Sequence, residues 1–204
     1  MLGDMRHYVI YVPGIGDNIW HIQSTAVHGW RLRGVRGHFY AMPWVSREPF
    51  DAKFARLLVR IDKLSQKGTV SLVGASAGAS AVMNAYLERR DKIHKIALIC
   101  PKLHHPESVS AETYANNPGF RDSMERLQPR LAKLTAADRA RMRIYYSPVD
   151  RTVRHADSSL EGVAEYRLPH FKHSYAIVYA ITVGAGSMLR FLKQRTDASD
   201  DQTN

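Results

Sequence analysis

The stretch Val70-Ser-Leu-Val-Gly-Ala-Ser-Ala-Gly-Ala-Ser80 restricts this chain to a small set of folds. An apolar run at 70–73 leads straight into Gly74-Ala75-Ser76-Ala77-Gly78, and residues 79–90 have the composition of a helix. Strand, sharp turn and helix follow one another with no linker. Strand and helix backbones crowd each other at such a turn, so its residues have to be small two positions either side of the apex. Ser76 is that apex. The spacing places its hydroxyl above the carboxyl edge of a sheet, at the start of a helix, with the Ala77 amide aimed where a developing oxyanion would sit. The bland alternative is a glycine-rich junction with Ser76 as a turn residue. Other glycine-loop chemistries fit less well: no Gly-Lys-Ser/Thr follows to make a phosphate loop, and the spacing is not G-x-G-x-x-G.

The rest of the chain supplies the sheet. Further strands are expected at 8–12, 36–42, 95–100, 143–147 and 164–168, from β-branched and aromatic runs closed by Pro or Gly. The first helix carries Ile19, Ile22, Ala26 and Trp30 on its inner side, is capped by Asp17 or Asn18 and ends at Gly34. The second has Phe50, Phe54, Leu57, Leu58, Ile61 and Leu64 as its inner stripe and closes at Gly68. A single last helix presents Ile177, Ile181, Ala185, Met188 and Leu192 on one face, with close packing expected at Gly184 and Gly186. Alternating strands and helices give an α/β fold. Right-handed crossovers allow the expected doubly wound, mostly parallel six-stranded sheet of order 2-1-3-4-5-6, with helices on both faces. One domain is expected over residues 1–194, followed by a disordered polar tail at 195–204. Ligands bind where strand order reverses, between the first and third strands, and both the loop Pro13-Gly14-Ile15-Gly16-Asp17 and the Ser76 turn belong there.

Composition removes several function classes. The chain has 204 residues, 45% of them apolar, enough for one real core. Its one cysteine, Cys100, excludes an internal disulfide and reads as a buried strand residue. The apolar run at 8–12 is too short for a signal-peptide core, and no segment approaches membrane-spanning length, so a soluble cytoplasmic protein without a membrane partner is expected. The formal charge is +10, and its densest basic region is 121–143. Asp122, Glu125 and Asp138 are mixed into that region, which marks solvated helix faces rather than a nucleic-acid site.

A serine hydroxyl needs an adjacent base, and a histidine base needs an orienting acid. Both should come from loops after later strands. Asp150 lies three residues past the fifth strand, in Ser147-Pro-Val-Asp150-Arg-Thr-Val153. Leu168-Pro-His170-Phe-Lys-His173 follows the sixth and offers two histidines. The order Ser76, Asp150, His173 is the one this turn motif requires. His104, His105 and His155 have no carboxylate or cysteine at metal-ligand spacing, so no metal is expected.

With these residues in view, the chain resembles the small single-domain members of the α/β-hydrolase superfamily, from Tyr8 to Leu192. The resemblance implies Ser76 as nucleophile, His173 in preference to His170 as base and Asp150 as acid. It further implies an oxyanion hole from the amides of Ala77 and Ile15, and no cofactor. The chain departs from the family in having Pro13-Gly14 where His-Gly is common, Ala75 where a bulkier residue often stands, and no pair of leading strands. Family lids are inserted after the strand that here ends at Cys100. Residues 104–120 are too few for a cap domain and predict an irregular flap, a minimal lid. Gly14, Trp44, Tyr114, Phe120 and His170 are the candidate substrate contacts. The expected function is hydrolysis of a small carboxylic ester, thioester or amide through an acyl-enzyme, with a small-molecule acyl substrate as partner and the oligomeric state open. Its rival is a non-catalytic interaction protein on the same fold.

Overall fold

A computed structural model describes residues 6–16 and 20–194. The expected caps Asp17 and Asn18, the inner position Ile19 and the tail 195–204 lie outside the described residues.

Six parallel strands form one sheet: β1 (His7–Val12), β2 (Arg36–Phe39), β3 (Thr69–Ala75), β4 (Ile96–Ile99), β5 (Met142–Tyr146) and β6 (Ala164–Arg167). Their order is β2-β1-β3-β4-β5-β6, as the alternation of elements requires. Parallel strands covered on both faces read as continuous apolar runs, and this is why the central four were legible. Register then splits each run between two cores. Ile10, Leu72, Ile96 and Met142 stand side by side on one face, beneath α2 (Phe50–Ser65), α3 (Gly78–Glu88) and α5 (Pro118–Leu131). Tyr11, Val73 and Ala97 face the other way, toward α1 (Trp20–Gly29), α8 (His173–Ile181) and α9 (Ala185–Lys193). The short helices α4 (Ala111–Asn116), α6 (Ala136–Ala140) and α7 (His155–Ser158) lie in the connections around β5. The edge strands are the polar ones, and every residue of β6 is exposed.

Three helix expectations are corrected. The inner face of α1 is Gln23 and Val27, leading to Trp30 just beyond the helix, while Ile22 is 54% exposed. The helix is turned one position because the Gln23 side-chain carbonyl accepts the buried Tyr11 hydroxyl at 2.9 Å. Helix α2 ends at Ser65, and Gly68 belongs to the turn into β3. Its stripe includes Lys53, fully buried, whose Nζ donates to the Ser46 carbonyl at 2.8 Å and lies over Gly119, where a Cβ would come within 3.0 Å of it. The expected last helix is two helices, α8 and α9, bent 58° at residues 182–184. Both glycines there are close-packed: a Cβ on Gly184 would lie 2.8 Å from the Tyr179 ring, and one on Gly186 2.7 Å from Arg33 Nη1. Among the described residues no single helix is long and apolar enough to cross a membrane.

The basic stretch at 121–143 is knitted into the chain. Arg126 bonds Asp51 and Glu88, Arg130 bonds Glu88 and Asn84, and Arg141 donates to the carbonyls of Arg90, Ile93 and His94.

At the amino end of β1, His7 Nε2 meets Ser71 Oγ at 2.9 Å. Burial, then the nearby His94 and Lys193, lower the His7 pKa from 6.5 to about 4. The folded chain therefore keeps this ring neutral down to about pH 4, whereas the unfolded chain protonates it near 6.5. The stabilisation is complete above pH 6.5 and is lost as pH falls from 6.5 to 4. His7→Gln should flatten the decline of unfolding free energy across that window in denaturant titrations. An unchanged slope in the variant would mean that His7 titrates normally.

Candidate active site

Ser76 follows β3 directly and its neighbours open α3, so the serine occupies the turn itself. Its φ is +51°, in the left-handed region. For a residue with a Cβ this costs roughly 1–2 kcal/mol. The backbone holds the conformation: Ser76 N–H donates to the Ile99 carbonyl at 2.9 Å, and its own carbonyl accepts from the amides of Ala79 at 3.1 Å and Lys102 at 3.3 Å. The flanking glycines make the turn possible. A Cβ on Gly74 would lie 2.7 Å from Ala79 Cα, one on Gly78 2.5 Å from the Pro13 carbonyl oxygen, and one on Gly14 2.8 Å from Ser76 Cβ.

The structure brings Ser76, His173 and Asp150 together. His173 opens α8, with Nε2 2.9 Å from Ser76 Oγ and Nδ1 2.6 Å from Asp150 Oδ2. An ionised carboxylate only accepts, so Nδ1 carries the proton, Nε2 is the acceptor and the Ser76 hydroxyl donates to it. The other oxygen of Asp150 accepts the amides of Thr152 at 2.9 Å and Val153 at 3.0 Å. Burial of Asp150 pushes its carboxyl pKa up, but the His173 bond and the two amides outweigh it and hold it below 3.8. The loops that carry Asp150 and His173 are also fastened to each other. Ser147 Oγ donates to the Phe171 carbonyl at 2.6 Å.

Cys100 is buried at the end of β4 with φ +44°. Among the described residues, Cys100, Asp150 and His173 are the one set of His, Cys, Asp and Glu groups close enough to hold a metal, within 4.8 Å of one another. Asp150 and His173 already engage each other, and burial followed by the Asp150 charge pushes the thiol pKa up, which suits a neutral thiol rather than a thiolate ligand. His104, His105 and His155 bond three separate partners, the Ser159 carbonyl, Glu107 and Glu165.

A cavity of about 360 Å³ opens beside Ser76 and His173. Ile15, Ala77, Phe120 and Val153 form its apolar wall, and Lys102, Ser108, Ser110 and Thr113 its polar wall. A smaller one of about 40 Å³, reached past Gly14, Gly16 and Gln23, meets the same serine and histidine. Three expected substrate contacts lie elsewhere. Trp44 is buried behind the wall, where its indole N–H donates to the Pro13 carbonyl at 3.1 Å and its ring meets Phe120 edge-on. It therefore fixes the Pro13–Gly16 loop. Tyr114 packs on Phe120 and donates its hydroxyl to the Pro106 carbonyl. His170 is exposed and accepts from Arg167, away from the cavity. The flap is partly ordered as a turn at Pro106–Ser108 and α4, whose N-cap Ser110 accepts the Thr113 amide at 3.1 Å. Sequence reasoning missed Lys102 and Ser147. The one signal available was their place immediately beyond strand ends, where ligand contacts concentrate.

No protein-family model and no curated protein matches the sequence. Solved structures do match the fold. Est1E from Butyrivibrio proteoclasticus is 14% identical with a TM-score of 0.64, over 94% of this chain and 90% of that one. An α/β-hydrolase enzyme from the metagenome of sediments of the Mar Chica lagoon, Morocco, is 12% identical with a TM-score of 0.65, over 92% and 91%. The CarC enzyme, a serine hydrolase involved in carbazole degradation, is 15% identical with a TM-score of 0.61, over 94% and 92%. At these identities the likeness is one of fold: the chain has the architecture of the α/β-hydrolases.

Proposed function

We propose that this α/β-hydrolase fold carries a serine hydrolase that cleaves a small carboxylic ester, thioester or amide through an acyl-enzyme. The observation behind this is the unbroken hydrogen-bond chain from Ser76 through His173 to Asp150, built on a serine held in a left-handed conformation. Strain of that kind, kept at the one residue positioned to attack, fits a nucleophile better than a turn serine.

The steps balance among these residues and water. Ser76 Oγ bonds to the substrate carbonyl carbon as its proton passes to His173 Nε2, and the carbonyl electron pair moves onto oxygen. Amides at Ile15 and Ala77, which flank Ser76 in the cavity, would hold that oxyanion. Collapse expels the alcohol, thiol or amine, which takes the proton from Nε2. Water then attacks the acyl-enzyme, gives its proton to Nε2, and releases the acid while Ser76 regains a proton. Asp150 stays ionised throughout, orienting the ring and stabilising the imidazolium. No step calls on a cofactor.

The test is labelling with a fluorophosphonate probe, with the adduct mapped to Ser76, together with turnover of p-nitrophenyl esters. Activity should be greatest for short acyl chains and fall with length, because the cavity holds only about 360 Å³ and Lys102, Ser108, Ser110 and Thr113 put polar groups in its lining. It should not jump above the substrate's aggregation threshold, since residues 104–120 form a flap and not a cap domain. Strong preference for long chains, or activation at an interface, would show that the flap is a lid. A protein that takes no label would leave the non-catalytic interaction role standing.

A further inference from the structure

Beyond the triad, the cavity wall holds one charged group. Lys102 and Ser108 both line the cavity, and Lys102 Nζ lies 2.6 Å from Ser108 Oγ, so the ammonium sits at that wall. It also lies 3.2 Å from Asp157 Oδ2. The residues are 5% and 3% exposed. Ser108 donates its own proton to the His105 carbonyl at 2.9 Å, which leaves its oxygen to accept from the lysine. Withdrawing two charges from water costs about as much as their attraction returns, so a buried pair is weak evidence of a stabilising device. This pair is also incomplete. An ammonium has three donors, and among the described residues Lys102 has partners for two of them. Asp157 Oδ1 is buried with no hydrogen-bond partner. Arg154 adds a second cation 3.5 Å from Asp157 Oδ2, so two cations share this one carboxylate, and among the described residues the cavity lining itself contains no carboxylate.

We propose that Lys102 anchors an anionic subsite: the acyl substrate ends in a carboxylate that takes the remaining N–H of Lys102 while its scissile carbonyl lies at Ser76. This rests on the hydrolase function proposed above and names its substrate class, the half-esters and half-thioesters of short dicarboxylic acids. Both ends of such a molecule fit one cavity of about 360 Å³, which Lys102 and Ser76 both line, and the backbone that carries Lys102 bonds the Ser76 carbonyl. The intervening methylenes would run along Ile15, Val109 and Phe120, and the hydroxyls of Ser110 and Thr113 would lie beside the carboxylate. A charge-assisted bond of this kind is worth on the order of 10- to 100-fold over a neutral chain end.

Monoethyl glutarate and ethyl hexanoate present acyl chains of similar length, one ending in a carboxylate and the other in a methyl group. Hydrolysis of both is followed by acid release at constant pH. Wild type should favour the glutarate half-ester by roughly 10-fold or more in kcat/KM, and Lys102→Met should bring the ratio to about 1 or below. Both esters are measured on one preparation, so a partly folded variant does not distort the ratio. Lys102→Met leaves the buried Asp157 with Arg154 alone as its charged partner, and the double variant Lys102→Met/Asp157→Asn covers the case in which the single one does not fold. A wild-type ratio near 1, or a preference that survives loss of Lys102, overturns the subsite. Ser76 labelled by fluorophosphonate without turnover of the half-ester also overturns the subsite, and leaves the hydrolase proposal intact. No labelling of Ser76 and no turnover of either ester removes both.

Discussion

Ser76→Ala should abolish fluorophosphonate labelling and lower ester turnover by ~10⁴-fold or more, with the fold intact. The size of the effect follows from what the serine does: without Oγ there is no acyl-enzyme, and only the oxyanion donors and binding contribute. His173→Ala should be nearly as damaging, because residues acting as one unit are not additive. His170→Ala should keep most of the activity, since that ring is exposed and bonded to Arg167. Stability supplies an independent check. The left-handed φ of Ser76 is retained in the alanine variant and relieved in Ser76→Gly, so in denaturant titrations the glycine variant should be as stable as the alanine variant or more so, by up to about 1 kcal/mol. Labelling that persists at another serine would remove the proposed nucleophile, and a strongly destabilised Ser76→Gly would remove the strain.

Gly78→Ala should cost about 3 kcal/mol or more, or prevent soluble expression. The added methyl would meet the carbonyl oxygens of Val12 and Pro13, which are backbone atoms with nowhere to go. Helix α3 would have to lift away from β1, and the Pro13–Gly16 loop with it. Gly186→Ala is the contrasting case, also a close approach on paper, with 2.7 Å to Arg33 Nη1. That atom ends a flexible side chain, and alanine gains roughly 1 kcal/mol of helix propensity inside α9. The second variant should therefore be neutral or slightly stabilised in urea titrations. Equal losses in both would mean that side-chain and backbone obstruction weigh the same here, against the argument for the turn.

The central strands were legible because burial on both faces makes each one an apolar run, and their order followed from alternation with helices. The convergence of Ser76, His173 and Asp150 was legible for a related reason: Asp150 and His173 follow consecutive strands, whose carboxyl ends lie along one edge with Ser76. What stayed hidden depends on partners distant in sequence. Whether Ile22 or Gln23 faces inward is decided by the Tyr11 hydroxyl, and nothing in the local period reveals it. Trp44 looked like a cleft residue because it follows a strand, yet its indole N–H is spent on Pro13. Lys53 broke the expected α2 stripe because Gly119, 66 positions further on, leaves room for its stem. The bend between α8 and α9 was masked by apolar residues at helical spacing on both sides of residues 182–184. Lys102 showed only its place just beyond a strand end, since its meaning comes from Ser108 and Asp157.

The Ser76–His173 contact spans 97 residues of chain, and the His173–Asp150 contact closes the last 23 of them. Non-local contacts of this length form late, after the loops between them have been closed. Helices α2 and α3 are built from local hydrogen bonds and can regain their signal early in refolding. The chain of bonds from Ser76 to Asp150 cannot. It needs β3, β5 and the start of α8 in register together, so recovery of probe reactivity during refolding marks completion of the sheet and should lag the helical circular-dichroism signal.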